Sequence, residues 1–349
     1  MRKQDCYDVT IIGGGPAGLY SAFYSGLRQM KTKIIDFQPY LGGKIHIYPE
    51  KMIWDIGGLT PLPGAKLIEQ LVEQGLTFNP TVVLNERITS ITKNEAGLFV
   101  MKSASGNEHY SKTVIVAVGS GILKHQKIDI QGAERFEVSN LHYTVKSLQH
   151  FKDKIVIISG GGNTAIDWAN ELEPIAKKVY VIHRKSKFSG HEAQITNLEN
   201  STVECYLNTT ITKLIATDNR DEIRRVELTN NETGETDYLL VDDVVINHGF
   251  EQDTSLLQNS ELEIEMLENF YIAGNAQCET SIEGLYAAGD IIKYDGKVNL
   301  IAGAFQDAAN AVNKAKKFIE PSANEAAMVS SHNEVFNQKN RELISEMLK

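Results

Sequence analysis

Val9-Thr10-Ile11-Ile12-Gly13-Gly14-Gly15-Pro16-Ala17-Gly18 reads as a buried strand that runs into a Gly-rich turn and then a helix. The short, β-branched apolar run suits a parallel strand covered on both faces. The glycines permit a tight bend, close backbone approach to a pyrophosphate and close helix–strand packing. Helix amides beginning near Gly15 would face the phosphates, and the helix dipole favours their charge. Downstream, Lys33-Ile34-Ile35 leads to Asp36, placed to accept hydrogen bonds from ribose hydroxyls.

The same pattern recurs. Ile155-Val156-Ile157-Ile158 leads into Gly160-Gly161-Gly162-Asn163-Thr164-Ala165, and Val179-Tyr180-Val181-Ile182 leads to His183-Arg184-Lys185. Asp36 lies 18 residues beyond Gly18, and His183 lies 18 beyond Ala165. Where the first copy places an acid, the second places bases. A carboxylate would repel a ribose 2′-phosphate, whereas a guanidinium can bind one bidentately. The second site therefore reads as NADP(H)-binding, on Gly160, Gly162, Asn163, Thr164, Ala165, His183, Arg184 and Lys185. Two dinucleotides on one chain point to a flavoprotein reductase.

Each copy later reaches an apolar run ending in glycine, Val114–Gly119 and Val244–Gly249. Between turn and run lie alternating segments that read as antiparallel strands: 87–92 and 98–102, then 208–214 and 224–228. Asn230-Asn231-Glu232-Thr233-Gly234 reads as a hairpin turn. A third landmark, Ala287-Ala288-Gly289-Asp290, precedes a helix expected near 306–319. The Ala-, Ser- and Asn-rich stretch 321–331 reads as mobile, and 337–349 as a short terminal helix, solvated or packed in a dimer. The fold class is α/β, with two Rossmann-like three-layer nucleotide-binding domains. Residues 1–118 and 250–349 form the first, and 119–249 form the inserted second.

The 349 residues carry a net charge of −10, which argues against nucleic acid or an anionic membrane as partner. No apolar run is long enough to span a membrane, and the start lacks a secretory signal. Cys6, Cys205 and Cys278 lie far apart with no metal-ligand spacing. That pattern suits a cytoplasmic protein, and no metal site is expected. Cys6 and Cys205, at or within strands, read as buried structural thiols. Arg28, Lys31 and Lys33 form a basic cluster, read first as solvated surface and second as a docking face for an acidic carrier.

The chain resembles the ferredoxin–NADP reductases of the thioredoxin-reductase-like flavoprotein superfamily. The resemblance runs along nearly the whole chain. It includes 7–16, Leu41-Gly42-Gly43, Tyr48-Pro49-Glu50-Lys51, Asn140-Leu141-His142-Tyr143, 160–169, 172–177, His183-Arg184, Ala287-Ala288-Gly289-Asp290 and Gly296-Lys297-Val298-Asn299-Leu300-Ile301-Ala302. It implies FAD at the first site, on Gly13, Gly15, Pro16, Ala17, Gly18, Asp36, Gly43 and Lys44. It implies Asp290 near the ribityl chain and pyrophosphate, Tyr48 stacked on the flavin ring, and His332 over the other ring face across a homodimer interface.

This sequence departs from the family at several positions. Lys185 and Ser189 stand where arginines are common, Lys44 where Gln is common, and Asn333-Glu334 where small hydroxyl residues are usual. The stretch 141–145 lacks the CxxC of thioredoxin reductase proper, so thiol–disulfide relay is not expected. The resemblance implies hydride transfer from NADPH to FAD, then one-electron transfer to ferredoxin or flavodoxin, with no side-chain nucleophile. Two rival readings are another FAD-dependent NAD(P)H oxidase or disulfide reductase, and a non-catalytic flavin-binding protein.

Overall fold

The computed structural model describes residues 5–119, 121, 124–219, 221–251, 253–328 and 332–348. The chain divides into two compact units, Met1–Ile122 with Gln252–Lys349, and Leu123–Glu251.

The first unit is built on the strand Cys6–Ile12. It pairs in parallel with Thr32–Ile35 on one side and with Glu108–Val116 on the other. Thr81–Val83 extends the sheet beyond Thr32–Ile35. The Glu108–Val116 strand serves two partners. Its first half takes Phe99–Ser103 antiparallel, and its second half takes Leu285–Ala287 in parallel. The late strand thus brings the Ala287–Asp290 landmark to the same sheet end as the first Gly turn. Val9, Ile11, Ile34, Ile35, Val114, Ile115 and Val116 are fully buried. Burying each such side chain contributes about 1.5–3 kcal/mol, which is why this register is fixed.

Helices Pro16–Leu27 and Ile301–Ile319 pack on this sheet, and Gly64–Gly75 packs on Pro16–Leu27. Pro16 at the first helical position has φ preset for helix entry. The helix Ile301–Ile319 buries a stripe of Ala304, Asp307, Ala308, Ala311, Val312 and Ala315. It starts five residues before the sequence-based expectation, because Gly303 acts as a contact point and not as a breaker. A Cβ there would lie 2.1 Å from the Val298 carbonyl oxygen.

The second unit has its own core. Its parallel sheet runs in the order Leu141–His142, Asp243–Ile246, Ile155–Ser159, Lys178–Ile182, Glu204–Tyr206. A separate antiparallel sheet holds Thr209–Ala216, Ile223–Asn230 and Thr236–Leu240. The expected hairpin turn is present. Asn230 Oδ1 accepts the N–H groups of Glu232 and Thr233 at 2.9 and 3.0 Å, and Gly234 closes the turn with φ 75°.

Other expectations need correcting. Cys205 lies in a strand but is exposed, Cys6 is half-buried, and the buried thiol is Cys278. Lying on a strand does not bury Cys205, because Glu204–Tyr206 is the last strand in its sheet order. The described part of the 321–331 stretch is tied down. Arg28 donates to the Asn324 carbonyl at 2.6 Å, Lys317 to the Ala323 carbonyl at 3.1 Å, and the Ala327 N–H to Tyr24 Oη at 3.3 Å. Residues 329–331 lie outside the described residues. The terminal helix Asn337–Met347 buries nothing, but Phe336 before it packs on Phe23 and Phe78. Among the described residues no helix is long and apolar enough to cross a membrane.

Candidate functional site

Two Gly turns carry the sites, and they are built alike. The Gly13 N–H donates to the Ile35 carbonyl at 2.8 Å, and the Gly160 N–H to the Ile182 carbonyl at 2.9 Å. Each turn is then met by a loop returning from the second strand. The Gly42 N–H donates to the Gly14 carbonyl and the Ser189 N–H to the Gly161 carbonyl, both at 2.8 Å. The duplication read in the sequence therefore extends to these tie points.

At the first turn a Cβ on Gly13 would lie 2.3 Å from the Ala117 carbonyl oxygen, and one on Gly18 would lie 1.8 Å from the Gly13 carbonyl oxygen. Both contacts are with backbone, which cannot swing aside. Gly15 and Gly43 leave a gap of a different kind. A Cβ on Gly43 would lie 2.7 Å from the Gly15 Cα, while one on Gly15 meets nothing nearer than 3.7 Å. The cradle is lined by main chain and opens on the start of the Pro16–Leu27 helix. No side chain caps that helix, so its first N–H groups are available to an anion. A pyrophosphate fits these donors. Ala17 meets Gly289, whose added Cβ would lie 3.0 Å from the Ala17 methyl.

Asp36 follows the second strand and is 6% exposed. Its carboxylate accepts the Gly14 N–H at 2.5 Å and the Gln38 N–H at 2.8 Å. Burial raises its pKa, and the Gln38 and Gly14 donors offset only part of that rise. Each oxygen uses one lone pair on backbone, which leaves acceptor capacity for a sugar hydroxyl.

The third landmark is held from beneath. Gly289–Ile291 forms a 3₁₀ turn that presents Asp290 to solvent. Below it Asp307 is fully buried. Its Oδ2 accepts the Gly289 N–H at 3.0 Å and pairs with Lys297 Nζ, and its Oδ1 accepts the Tyr294 hydroxyl at 2.6 Å. The Lys297 side chain is itself only 6% exposed. Burial and the Asp307 charge push the neighbouring Tyr294 and Cys278 hydrogens to higher pKa, so both stay protonated at neutral pH. Reading the sequence missed Asp307. The available signal was an acid set within an otherwise Ala/Val-rich buried helix stripe.

Tyr48 is half-buried, and its pKa is pushed up to about 12 by burial, then by Asp290 and Asp55. Tyr48 and Asp290 are therefore within electrostatic reach of each other. Lys44 is exposed, as is His332, and Asn333 beside His332 is buried.

At the second turn Gly162 has nothing within 4 Å of an added Cβ, and the Asn163–Leu172 helix it precedes has no side-chain cap. This cradle too is open to an anion. The Asn163 side chain is used locally, since its Oδ1 accepts the His191 N–H at 2.7 Å. Thr164 follows in the first helical turn. Ala165 takes the place of Gly18, and its methyl lies over Gly160, where an added Cβ would stand only 3.0 Å from it and 2.5 Å from the Asn247 carbonyl oxygen.

His183 occupies the position of Asp36, yet it turns inward and separates from the two bases after it. It is 8% exposed, and a Cβ on Gly161 would lie 2.2 Å from its Nδ1. Its Nε2 lies 3.0 Å from the Lys187 carbonyl, which can only accept, so Nε2 carries the proton. Its ring stacks on Phe188 at 5.5 Å. Burial lowers its pKa, and Lys185 and Arg184 lower it further. His183 is thus a neutral ring supporting the turn. The cationic end belongs to Arg184, Lys185 and Lys187, all exposed. The backbone beneath them is fixed, with the Arg184 carbonyl accepting Asn231 Nδ2 at 3.1 Å and the Lys185 carbonyl accepting the Asn208 N–H at 3.0 Å.

A pH dependence follows. The His183 pKa is lower folded than unfolded, so protons favour the unfolded chain. Its stability contribution is complete above about pH 6.5, the unfolded value, and is lost as pH falls through the folded value. Thermal melts from pH 7.5 down to 5.5 should show falling stability, and His183→Gln should flatten part of that slope. An unchanged slope would place the proton uptake on other groups.

The basic cluster does not hold together as one surface patch: Lys31 is exposed, and Arg28 and Lys33 are buried. Arg28 and Lys33 are each 7% exposed, and Lys31 pairs with Asp5. Arg28 instead reaches Asn313 Oδ1 at 2.6 Å and clamps the C-terminal stretch.

Comparison with known proteins shows the family. The chain is 70% identical to ferredoxin–NADP reductase 1 of Bacillus mycoides (strain KBAB4), with all of both chains covered. It is 67% identical to ferredoxin–NADP reductase 2 of Exiguobacterium sibiricum, covering 100% of this chain and 99% of that one. Among solved structures, a Lactococcus lactis thioredoxin reductase superposes with a TM-score of 0.75 at 24% identity, covering 90% of this chain and 99% of that one. The bacillithiol disulfide reductase of Staphylococcus aureus gives 0.69 at 21% identity, covering 92% of this chain and 100% of that one. These two structures share the fold. The model of the pyridine nucleotide-disulphide oxidoreductase family matches residues 7–315, and the chain belongs to that family.

Proposed function

We infer that this chain is a ferredoxin–NADP reductase that uses FAD and NADPH. The observation that carries the reading is the opposite charge at two equivalent positions. A buried carboxylate stands at the sugar end of one Gly turn, and exposed cations stand at the sugar end of the other. The full-length relatives bear the same name.

When bound, the flavin supplies the step from a two-electron hydride donor to one-electron acceptors. The chain's own residues do the rest. Gly15, Gly43 and the helix N–H groups from Ala17 onward receive the pyrophosphate, and Pro16, which has no N–H, sets the helix entry. Asp36 accepts the adenosine ribose hydroxyls. Gly13 and Gly18 allow strand, turn and helix to approach closely enough to form that cradle. Tyr48 offers a ring face for stacking, kept neutral by its raised pKa. The Gly289 turn, held by Asp307, sets Asp290 at the ribityl chain. In the second unit, Gly160, Gly162 and the helix start at Asn163 receive the NADP pyrophosphate, and Arg184 and Lys185 receive the 2′-phosphate. His332, exposed on its own chain, covers the flavin of a second copy in a homodimer, a role that rests on the family resemblance. Ferredoxin or flavodoxin is the acceptor, and the cytoplasm is the compartment.

The test is a nucleotide comparison. Arg184→Ala with Lys185→Ala should raise KM for NADPH by about 10–100-fold, the worth of one to two charge-assisted hydrogen bonds. KM for NADH should hardly move. Equal effects on both nucleotides would remove these residues from 2′-phosphate recognition. Turnover with ferredoxin, oxygen and a low-molecular-weight disulfide, measured side by side, separates the reductase from its oxidase and disulfide-reductase rivals.

A further inference from the structure

A second cluster of chemically active side chains lies in the Leu123–Glu251 unit, away from its Gly turn. Asp243 opens the strand Asp243–Ile246, His142 ends the neighbouring strand Leu141–His142, and His150 sits on the 3₁₀ turn Leu148–Phe151. The Gly160 turn follows the C-terminal end of Ile155–Ser159, whereas Asp243 pairs with Val156 near the other end of that strand. Sheet length therefore separates this cluster from the nucleotide turn.

Asp243 is 1% exposed. Both imidazole Nε2 atoms converge on one of its oxygens, His142 at 2.6 Å and His150 at 2.8 Å from Oδ1. The three potential ligand atoms all lie within 4.8 Å of one another. Phe151 is buried and meets both rings edge-on, at 5.5 Å from His142 and 4.9 Å from His150. Its packing limits the rotamers the two rings can take, so the convergence is built in.

Lys154 is the fourth member. Its ammonium lies 2.9 Å from Asp243 Oδ2 and 3.1 Å from His150 Nε2. A positive charge already stands at this group, carried on a side chain that is 34% exposed and has a route to solvent.

We propose that His142, His150 and Asp243 form a binding site for a divalent transition metal of the zinc class, gated by Lys154. Two imidazole nitrogens and one carboxylate oxygen match the donors that zinc takes and do not match the all-oxygen sets of magnesium or calcium. Three protein ligands leave a fourth position for water. In the free chain His142 Nε2 bears a hydrogen directed at the carboxylate, while His150 Nε2 faces both the carboxylate and the Lys154 ammonium. Ligation needs bare Nε2, so each ring carries its proton on Nδ1 in the metal-bound form. Lys154 swings to solvent as the ion enters. The ion then ties His150 and its turn to the two strands, and it makes no contact with the nucleotide turn.

The test uses full-length holoprotein freed of adventitious metal with a chelator. Zinc binding is read by titration calorimetry, and cobalt(II) by the intensity of its visible ligand-field bands. The wild type should bind a single ion saturably, with bands of tetrahedral intensity, and its melting temperature should rise with zinc. His150→Ala, on an exposed turn, should weaken binding by about a hundredfold, more than loss of a supporting contact does. Lys154→Met should tighten binding by about tenfold through loss of the competing charge. KM for NADPH should not move on zinc addition. Absence of saturable binding by the wild type would overturn the proposal, as would binding that His150→Ala leaves intact. Binding by Lys154→Met alone would also overturn it, because the lysine would then exclude the ion from the native chain.

Discussion

Gly18→Ala should yield a protein that retains no flavin and melts far below the wild type. The added methyl would stand 1.8 Å from the Gly13 carbonyl oxygen. Neither partner can rotate away, since one is helix backbone and the other is the turn itself. Overpacking in a rigid core costs about 1–3 kcal/mol and occasionally more, and a backbone-to-backbone clash belongs at the upper end. The clash also pushes the helix start away from the cradle formed with Gly43. The mirror substitution gives the control. Ala165→Gly, at the equivalent place in the second turn, removes a methyl that fits and should cost only about 1 kcal/mol of helix propensity. Thermal denaturation with visible absorbance of the purified variants measures both effects. A yellow Gly18→Ala protein with wild-type melting would show that the helix relaxes at no cost.

The second large effect is expected at the buried Lys297–Asp307 pair. Lys297→Met leaves a fully buried carboxylate with the Gly289 N–H, the Tyr294 hydroxyl and the Cys278 thiol as its neutral partners. Breaking a buried pair by removing one member costs about 3–5 kcal/mol, because the remaining charge is stranded. Removing both members is different. Lys297→Met with Asp307→Leu replaces the pair by apolar groups and should recover much of the stability. It should not recover flavin retention, since the Gly289 N–H then has no acceptor and the turn carrying Asp290 loses its anchor. Stability and flavin content should therefore separate in the double variant. If both recover together, Asp307 serves folding alone. If neither single nor double variant loses stability, the pair is not buried in solution.

Much of the fold was legible because two periodicities dominate it. The β-branched runs at 9–12, 114–116, 155–158 and 244–246 have little alternative to buried parallel strands. The alternating segments at 87–92 and 98–102 reveal the antiparallel pair Ile88–Lys93 and Phe99–Ser103, each one residue further on. The Gly turns were legible because helix, strand and carbonyl approach so closely that the residue type itself is diagnostic.

What escaped the sequence is mostly a matter of which way a side chain turns. His183, Arg184 and Lys185 are adjacent and read as one basic end, yet Phe188 and the Lys187 carbonyl draw the imidazole inward. Arg28 and Lys33 read as surface beside the exposed Lys31, because the groups that bury them, Asn313 and Asn324 for Arg28 and Tyr7 and His109 for Lys33, come from elsewhere in the chain. Cys205 read as buried because strands usually are, but its strand is the last in its sheet order. Asp307 passed unnoticed because nothing local announces that Lys297, ten residues earlier, folds back onto it.

Anaerobic reduction of the purified protein, followed by visible absorbance, tests the two-site account most directly. The protein should be yellow and bleached by NADPH at far lower concentration than by NADH, with the difference erased when Arg184 and Lys185 carry no charge. A colourless protein that takes up no FAD when it is supplied, or one bleached equally well by both nucleotides, would contradict it.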